Sequence, residues 1–368
     1  GINISEYIRQ ITLGDYAQAV TVIKERLPFP SVIGRICPRF CEAECRRTLI
    51  DEAVAINGLK RFVADHEKEN GRVKPFMAPA TGRQVAVIGG GAEGLSAAYF
   101  SARLGHSPLV LEASSKPGGL LRKAIARERL PLDILEYDID GQTDMGVKIA
   151  TEKIAGRDFS IDSLLADDYE AVFLATGGWD SRLAADQELA SAPSPVSGLF
   201  LLIDLLKKPE TVTCGANVVI YGNDLSGDLA AQAVAACRQA GAKTISILIR
   251  EENTTINSDD ITLIQQAGLD KLYGVGGVLT TLAYTDMSGG GQQSLAADTI
   301  IFATGRFPEL IFSRQVSEED GDATNEATQS SATTPGEWQA VAPVKNPLLV
   351  GHPGFFCAGE QLSEIDAT

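Results

Sequence analysis

Cysteine, histidine and long apolar runs are all scarce in this sequence. Six cysteines occur in 368 residues, too few for a disulfide framework, so a reducing cytoplasmic setting is expected. Lys and Arg number 32 against 48 Asp and Glu, a net charge of −16. That balance leaves no basic stripe to neutralise phosphates, which excludes a nucleic-acid binder and argues against an anionic membrane surface. The most apolar run, residues 198–206, is too short to cross a bilayer and carries Asp204, so no membrane insertion is expected. No secretory signal opens the sequence. G-x-S-x-G and H-E-x-x-H are both missing, so no catalytic side chain is assigned. No close cysteine pair flanks the first glycine turn, which argues against a thiol–disulfide reductase. The sequence starts directly in an amphipathic pattern and stops just after a strand-like run, so both ends read as cuts through a longer chain.

Glycine is abundant, 36 residues, as in folds that bring backbone close to ligands. Residues 1–70 read as short helices, with Ile8, Ile11, Ala17, Val20 and Ile23 at helical spacing. A Pro/Gly linker follows at 71–83. "QVAVIGG" (84–90) reads as a buried strand, then come a glycine turn, the helix "EGLSAAYFSARLG" and the strand "SPLVLEA". Strand, helix, strand at this length is a βαβ unit of a parallel sheet. A second such pattern starts at "NVVIYG" (217–222) and closes at "DTIIFATGR" (298–306), as "AVFLATGG" (171–178) closes the first. Residues 316–336 are acidic and almost free of large apolar groups, which reads as a flexible surface insertion.

The first turn supplies Gly89-x-Gly91-x-x-Gly94 between strand and helix. Gly89 allows the tight bend, Gly91 lets a pyrophosphate approach the backbone, and Gly94 lets the helix pack on the sheet. The pyrophosphate is expected at the helix N-terminus, where free N–H groups favour anions. Glu112, at the end of the next strand, stands where an acid bonds a ribose hydroxyl. The complete order of strand, turn, helix, strand and acid makes a dinucleotide site the expectation.

"RICPRFCEAECRR" spaces Cys37, Cys41 and Cys45 four residues apart. Thiolates hold iron–sulfur clusters; a zinc site needs a fourth ligand from elsewhere, and three reduced thiols in a helical core are a third reading. His66, His106 and His352 share no motif with them and read as surface or packing residues.

Two sets of stretches point to a family. "LEASSKPGGLL", "ATGG" and "FFCAGE" resemble the FAD domain of flavoproteins with two dinucleotide-binding domains. "NISEYIRQITLGDYAQAV", "RICPRFCEAECRR" and "VAINGLKRFVAD" resemble the iron–sulfur and FAD/NAD(P)H module of the glutamate synthase small chain family. The same module occurs in dihydropyrimidine dehydrogenase and in bifurcating ferredoxin–NADP transhydrogenases. The resemblance implies that Gly89, Gly91, Gly94 and Glu112 hold the ADP half of FAD, that Gly119 and Leu120 line the cofactor, and that Thr176 and Gly177 close its site. Gly359 and Glu360 stand where the family has Gly-Asp, and Ala124 and Ala126 replace two residues of a family turn. Cys37, Cys41 and Cys45 match the second half of the family's cysteine set, implying a 4Fe–4S cluster with further ligands upstream. Lys60 and Arg61 fall where the family offers Glu or Gln.

The second turn departs from the family, reading Gly222-x-Asp224-x-x-Gly227 with Leu225 in place of Asn. A carboxylate at 224 sets like charges against a pyrophosphate, a repulsion of several kcal/mol at ~4 Å in a partly buried site. Arg250 is followed by Glu251 where NADPH users carry two arginines, so NADPH is disfavoured and NADH is left open.

The expected fold class is α/β, with a short helical N-terminal iron–sulfur domain followed by two Rossmann-like dinucleotide-binding domains, the second inserted into the first. The expected boundaries are 1–72 for the helical domain, 83–195 plus 338–368 for the FAD domain, 196–315 for the second nucleotide domain and 316–337 for the insertion. The resemblance implies a flavin-dependent electron-transfer oxidoreductase, passing electrons between a nicotinamide or partner donor, FAD and iron–sulfur clusters, with a protein partner or fused domain. The alternative is a non-catalytic docking or electron-transfer subunit that has lost nicotinamide binding.

Overall fold

The computed structural model describes residues 1–178, 196–207, 209–222, 225, 227–252, 256, 260–304, 310–314 and 337–341. The chain begins in helices α1 (Ile4–Thr12), α2 (Tyr16–Lys24), α3 (Pro30–Ile36), α4 (Phe40–Ala43) and α5 (Ile56–Asn70), with a 3₁₀ turn at Arg46–Leu49. Asn3 and Asp15 cap α1 and α2 by accepting the N–H groups of Glu6 and Gln18, satisfying donors that helix starts leave free. Tyr7, Val20, Ile23, Ile56 and Val63 pack α1, α2 and α5 around one small core. The helical spacing of the first 70 residues is therefore the spacing of a buried face.

Helix α3 lies beside α5 but buries its apolar residues elsewhere. Phe29 and Val32 are buried in a cluster with Leu95, Leu130, Ile134 and Leu135, with Ile33 and Ile36 against it. The apolar face of the helix that leads into Cys37 thus lies on the neighbouring α/β layer.

That layer is built by β1 (Gln84–Ile88), α6 (Ala92–Arg103), β2 (Ser107–Leu111), α7 (Gly119–Lys123), α8 (Leu132–Thr143), β3 (Lys148–Ala150), α9 (Ile161–Ala166) and β4 (Tyr169–Leu174). β4, β1, β2 and β3 are neighbours and run parallel, with Ile88 opposite Leu111 and Leu174. Val87, Ile88, Val110 and Leu174 are almost fully buried, as expected for a sheet covered on both faces.

A second parallel sheet contains β5 (Leu199–Leu201), β6 (Asn217–Tyr221), β7 (Thr244–Leu248), β8 (Thr262–Ile264) and β12 (Thr299–Phe302), in the order β5-β12-β6-β7-β8. Helices α10 (Leu202–Lys207) and α11 (Gly227–Gln239) accompany it. The remaining strands, β9 (Ala267–Val275), β10 (Val278–Asp286), β11 (Gly291–Ala296), β13 (Leu310–Arg314) and β14 (Glu337–Val341), join the first sheet instead. Its nine strands run β11-β10-β9-β14-β13-β4-β1-β2-β3, antiparallel from β11 to β4. Of residues 196–315, only β5–β8 and β12 therefore belong to the five-stranded sheet. Backbone pairing between β13 and β4, far apart in sequence, decides that division, and no local pattern announces it.

Among the described residues no helix is long and apolar enough to cross a membrane. The acidic stretch 316–336, the Gly359–Glu360 pair, His352 and Cys357 lie outside the described residues.

Candidate dinucleotide and cysteine sites

The first glycine turn stands at the carboxyl ends of β1 and β2, where open α/β sheets bind ligands. Gly89 has φ of +108°, and a Cβ there would lie 2.2 Å from the Ala175 carbonyl oxygen. Gly94 sits so close to the turn that a Cβ would meet the Gly89 oxygen at 1.9 Å. Gly91 differs: nothing lies within 4 Å of a Cβ built on it. Two glycines thus let the backbone close on itself, and the middle one borders open space at the start of α6.

Glu112 is buried just beyond β2. Its Oε2 accepts the Gly90 N–H at 2.7 Å and its Oε1 accepts the Ser114 N–H at 2.7 Å. Each carboxylate oxygen can accept more than one bond, so an orienting contact to the turn leaves capacity for a ribose hydroxyl. Gly119 begins α7, with a Cβ position 3.0 Å from the Gly91 Cα, and half-buried Leu120 follows it. Thr176, next to Gly89, has a buried Oγ1 without a partner among the described residues. The structure thus places Gly89, Gly91, Gly94, Glu112, Gly119 and Thr176 around one turn, with Leu120 and Gly177 adjacent in sequence. An open cradle beside Gly91 and an orphaned buried hydroxyl on its rim fit a dinucleotide.

The second turn repeats the first in backbone detail. Gly89 N–H donates to Leu111 O at 2.8 Å, and Gly222 N–H donates to Leu248 O at 3.2 Å. Ala175 N–H reaches Ile88 O at 2.9 Å, and Ala303 N–H reaches Tyr221 O at 2.7 Å. Glu112 N–H bonds Ala150 O, and Ile249 N–H bonds Ile264 O. Ile249 therefore occupies the position of Glu112, and it is fully buried. Leu225 is 1% exposed in the core of this domain. Arg250, half-buried, follows Ile249, and Gly227 opens α11. Asp224 lies outside the described residues.

The cysteine segment is a separate feature. Cys37 caps the C-terminus of α3, Cys41 lies in α4, and Cys45 precedes the 3₁₀ turn. All three are free thiols of intermediate exposure. Burial, and then the neighbouring Cys37, pushes the Cys41 thiol up, while buried Lys60 acts in the opposite direction. Glu42 accepts the Asn57 N–H at 2.7 Å, and the Asn57 amide donates to Gly34 O at 2.9 Å. These bonds hold the segment to α5. Among the described residues no three His, Cys, Asp or Glu side chains are gathered as a metal site. The donors are chemically those of an iron–sulfur cluster, on one tethered segment. His66 packs against the Tyr16 ring and His106 bonds Thr81, so neither joins the cysteines.

Residues 1–72 match the family model described as dihydropyrimidine dehydrogenase domain II, 4Fe-4S cluster. Residues 87–135 match an NAD(P)-binding Rossmann-like domain. The chain is 34% identical over 274 residues to the beta subunit of an NADP(+)-dependent formate dehydrogenase from Moorella thermoacetica, covering 68% of this chain and 38% of that protein. It is 29% identical to the beta subunit of an NADPH-Fe(3+) oxidoreductase from Geobacter sulfurreducens, over 84% of this chain and 50% of the relative. It is 26% identical to the NAD-dependent dihydropyrimidine dehydrogenase subunit PreT of Escherichia coli, over 83% of this chain and 74% of that protein. The chain thus spans half or less of the length of the first two relatives. The iron–sulfur domain model at 1–72 and the NAD(P)-binding Rossmann-like model at 87–135 follow the order of units in the family that the N-terminal residues resemble.

Proposed function

We propose that this chain is an electron-transfer oxidoreductase module that binds FAD at its first glycine turn and a 4Fe–4S cluster through Cys37, Cys41 and Cys45. The observation that carries the reading is the turn itself: backbone closed at Gly89 and Gly94, open space at Gly91, and a buried carboxylate aimed into it. The start of α6 offers free N–H groups to a pyrophosphate, and Glu112 orients a ribose while remaining fixed by Gly90 and Ser114. Gly119, Leu120, Thr176 and Gly177 border the same space, with Gly359 and Glu360 assigned to it by family resemblance. When bound, a flavin exchanges hydride for single electrons and a cluster conducts them. A boundary at 72, between the helices and the first glycine-turn layer, is part of the same reading.

A partner protein or fused domain supplies the donor or acceptor, and the setting is cytoplasmic. Relatives bearing the names of NADP-, NADPH- and NAD-dependent subunits support a nicotinamide donor. A second reading, a subunit without nicotinamide binding, is favoured by Leu225, which turns into the core where the family carries a polar residue.

The purified chain should show flavin absorbance and contain iron and sulfide. Anaerobic NADH and then NADPH should bleach the flavin. A colourless chain that takes up no FAD would overturn the main reading, and bleaching by dithionite alone would select the second.

A further inference from the structure

The helix that delivers Cys37 has no side-chain cap of its own: Phe29 occupies its N-cap position and makes no cap bond. A residue 106 positions away supplies one. Asp138 of α8 accepts the Val32 N–H on its Oδ2 at 2.9 Å, in full burial, with the Ser31 hydroxyl alongside. At the other end, the Arg129 guanidinium donates to Ile36 O at 3.1 Å, one residue before Cys37. An acceptor at the start of α3 and a donor at its end satisfy backbone groups that helix termini leave free. Each comes from the nucleotide-binding layer rather than from the helices preceding α3. Val32, Ile33 and Ile36 pack on that same layer, so apolar contact and both polar bonds point one way.

We infer that Asp138 and Arg129 are positioning residues that lock α3 onto the nucleotide-binding layer and thereby set where Cys37 is presented. Arg129 lies in the segment between α7, which borders the first turn, and α8. The cysteine segment is therefore tied to the dinucleotide site through covalent chain and two hydrogen bonds, while Glu42 and Arg35 secure its outer side to Asn57 and Asp65 of α5. The placement concerns the helix itself, so its failure would leave the cofactor reading standing, and a colourless chain would leave this inference testable.

The test compares hydrogen–deuterium exchange of residues 30–36 in the full chain and in variants, and the rate of maleimide labelling at Cys37 in the same full-length chains after iron has been removed by chelation. Asp138→Ala leaves a buried N–H unpaired and should speed exchange at Val32 about tenfold or more, with Cys37 labelled several times faster. Asp138→Asn keeps an acceptor oxygen and should stay within about threefold of the parent, a rescue that separates the bond from the bulk of the side chain. Arg129→Ala should raise Cys37 labelling while exchange in β1 and α6 is unchanged. Equal acceleration of α3, α1 and α6 in Asp138→Ala would overturn the inference, as would unchanged exchange at α3. If Asp138→Ala does not fold, unaltered Cys37 labelling in Arg129→Ala overturns it alone.

Discussion

At the first glycine turn the strand-end position after Leu111 is Glu112, engaged with Gly90 and Ser114; at the second, the position after Leu248 is Ile249, fully buried. The backbone bonds around these residues are the same in both. One fold has thus been laid down twice, and only one copy carries a polar side chain at the residue after its second strand. Leu225 extends the difference, since it completes the apolar core of the second domain rather than lining its turn. The comparison teaches that backbone repetition preserves the cradle, whereas ligand chemistry depends on a few side chains at its rim.

The largest effect is expected at Gly94. A valine there would press on the Gly89 oxygen, already 1.9 Å from a single Cβ, and should cost about 4 kcal/mol or more by denaturant unfolding. Gly222→Ala meets Ala303, with its Cβ at 2.6 Å and its backbone no nearer than 3.3 Å, and should cost about 2 kcal/mol. Equal costs would break the distinction between the tight first turn and the second.

Glu112→Ala strands two N–H groups and should destabilise the first layer by about 3 kcal/mol, with weaker FAD retention in dialysis. Ile249→Ala, at the equivalent position, should leave FAD retention untouched. Leu225→Asn, which restores the family's residue type, should cost about 2 kcal/mol because an amide enters an apolar core. A gain in NADH-dependent bleaching with no loss of stability would show instead that the second turn needs only its polar residue back.

A further effect is in pH. Burial first of all raises Asp138 to about 7, against the bond from the Val32 N–H and the pull of the nearby Ser31 hydroxyl and Lys24, with Glu67 pushing the same way as burial. Tyr137 and Tyr99 stand in the same buried neighbourhood. An unfolded Asp titrates near 3.9, so the folded chain holds the extra proton between about pH 4 and 7. Stability then falls as pH rises through that window, by at most about 1.4 kcal/mol per pH unit, and levels off above it. Subtracting the unfolding profile of Asp138→Asn should isolate this slope; parallel profiles would remove it.

Much of the first site was legible because its parts are near neighbours. Gly89, Gly91, Gly94 and Glu112 span one strand–helix–strand unit, and their types alone announce a turn, a cradle and an acid. The cysteine spacing was legible for the same reason, although which atoms assemble around it was not. Leu225 was legible only as a departure from family pattern; that it packs inward is a fact of the core. The antiparallel strands β9–β11 and β13 gave no sign of which sheet they join.

By itself the sequence determined the local units: the helical spacing of the first 70 residues, the two βαβ patterns, the closed and open glycines and the acid after β2. Each depends on interactions within about 30 residues, where type and spacing suffice. Only the tertiary structure decided that β13 pairs with β4, that Ile249 stands in the place of Glu112, and that Asp138 and Arg129 hold α3. Those contacts join residues far apart in the chain, and burial and backbone hydrogen bonding select the partners from many that local pattern allows.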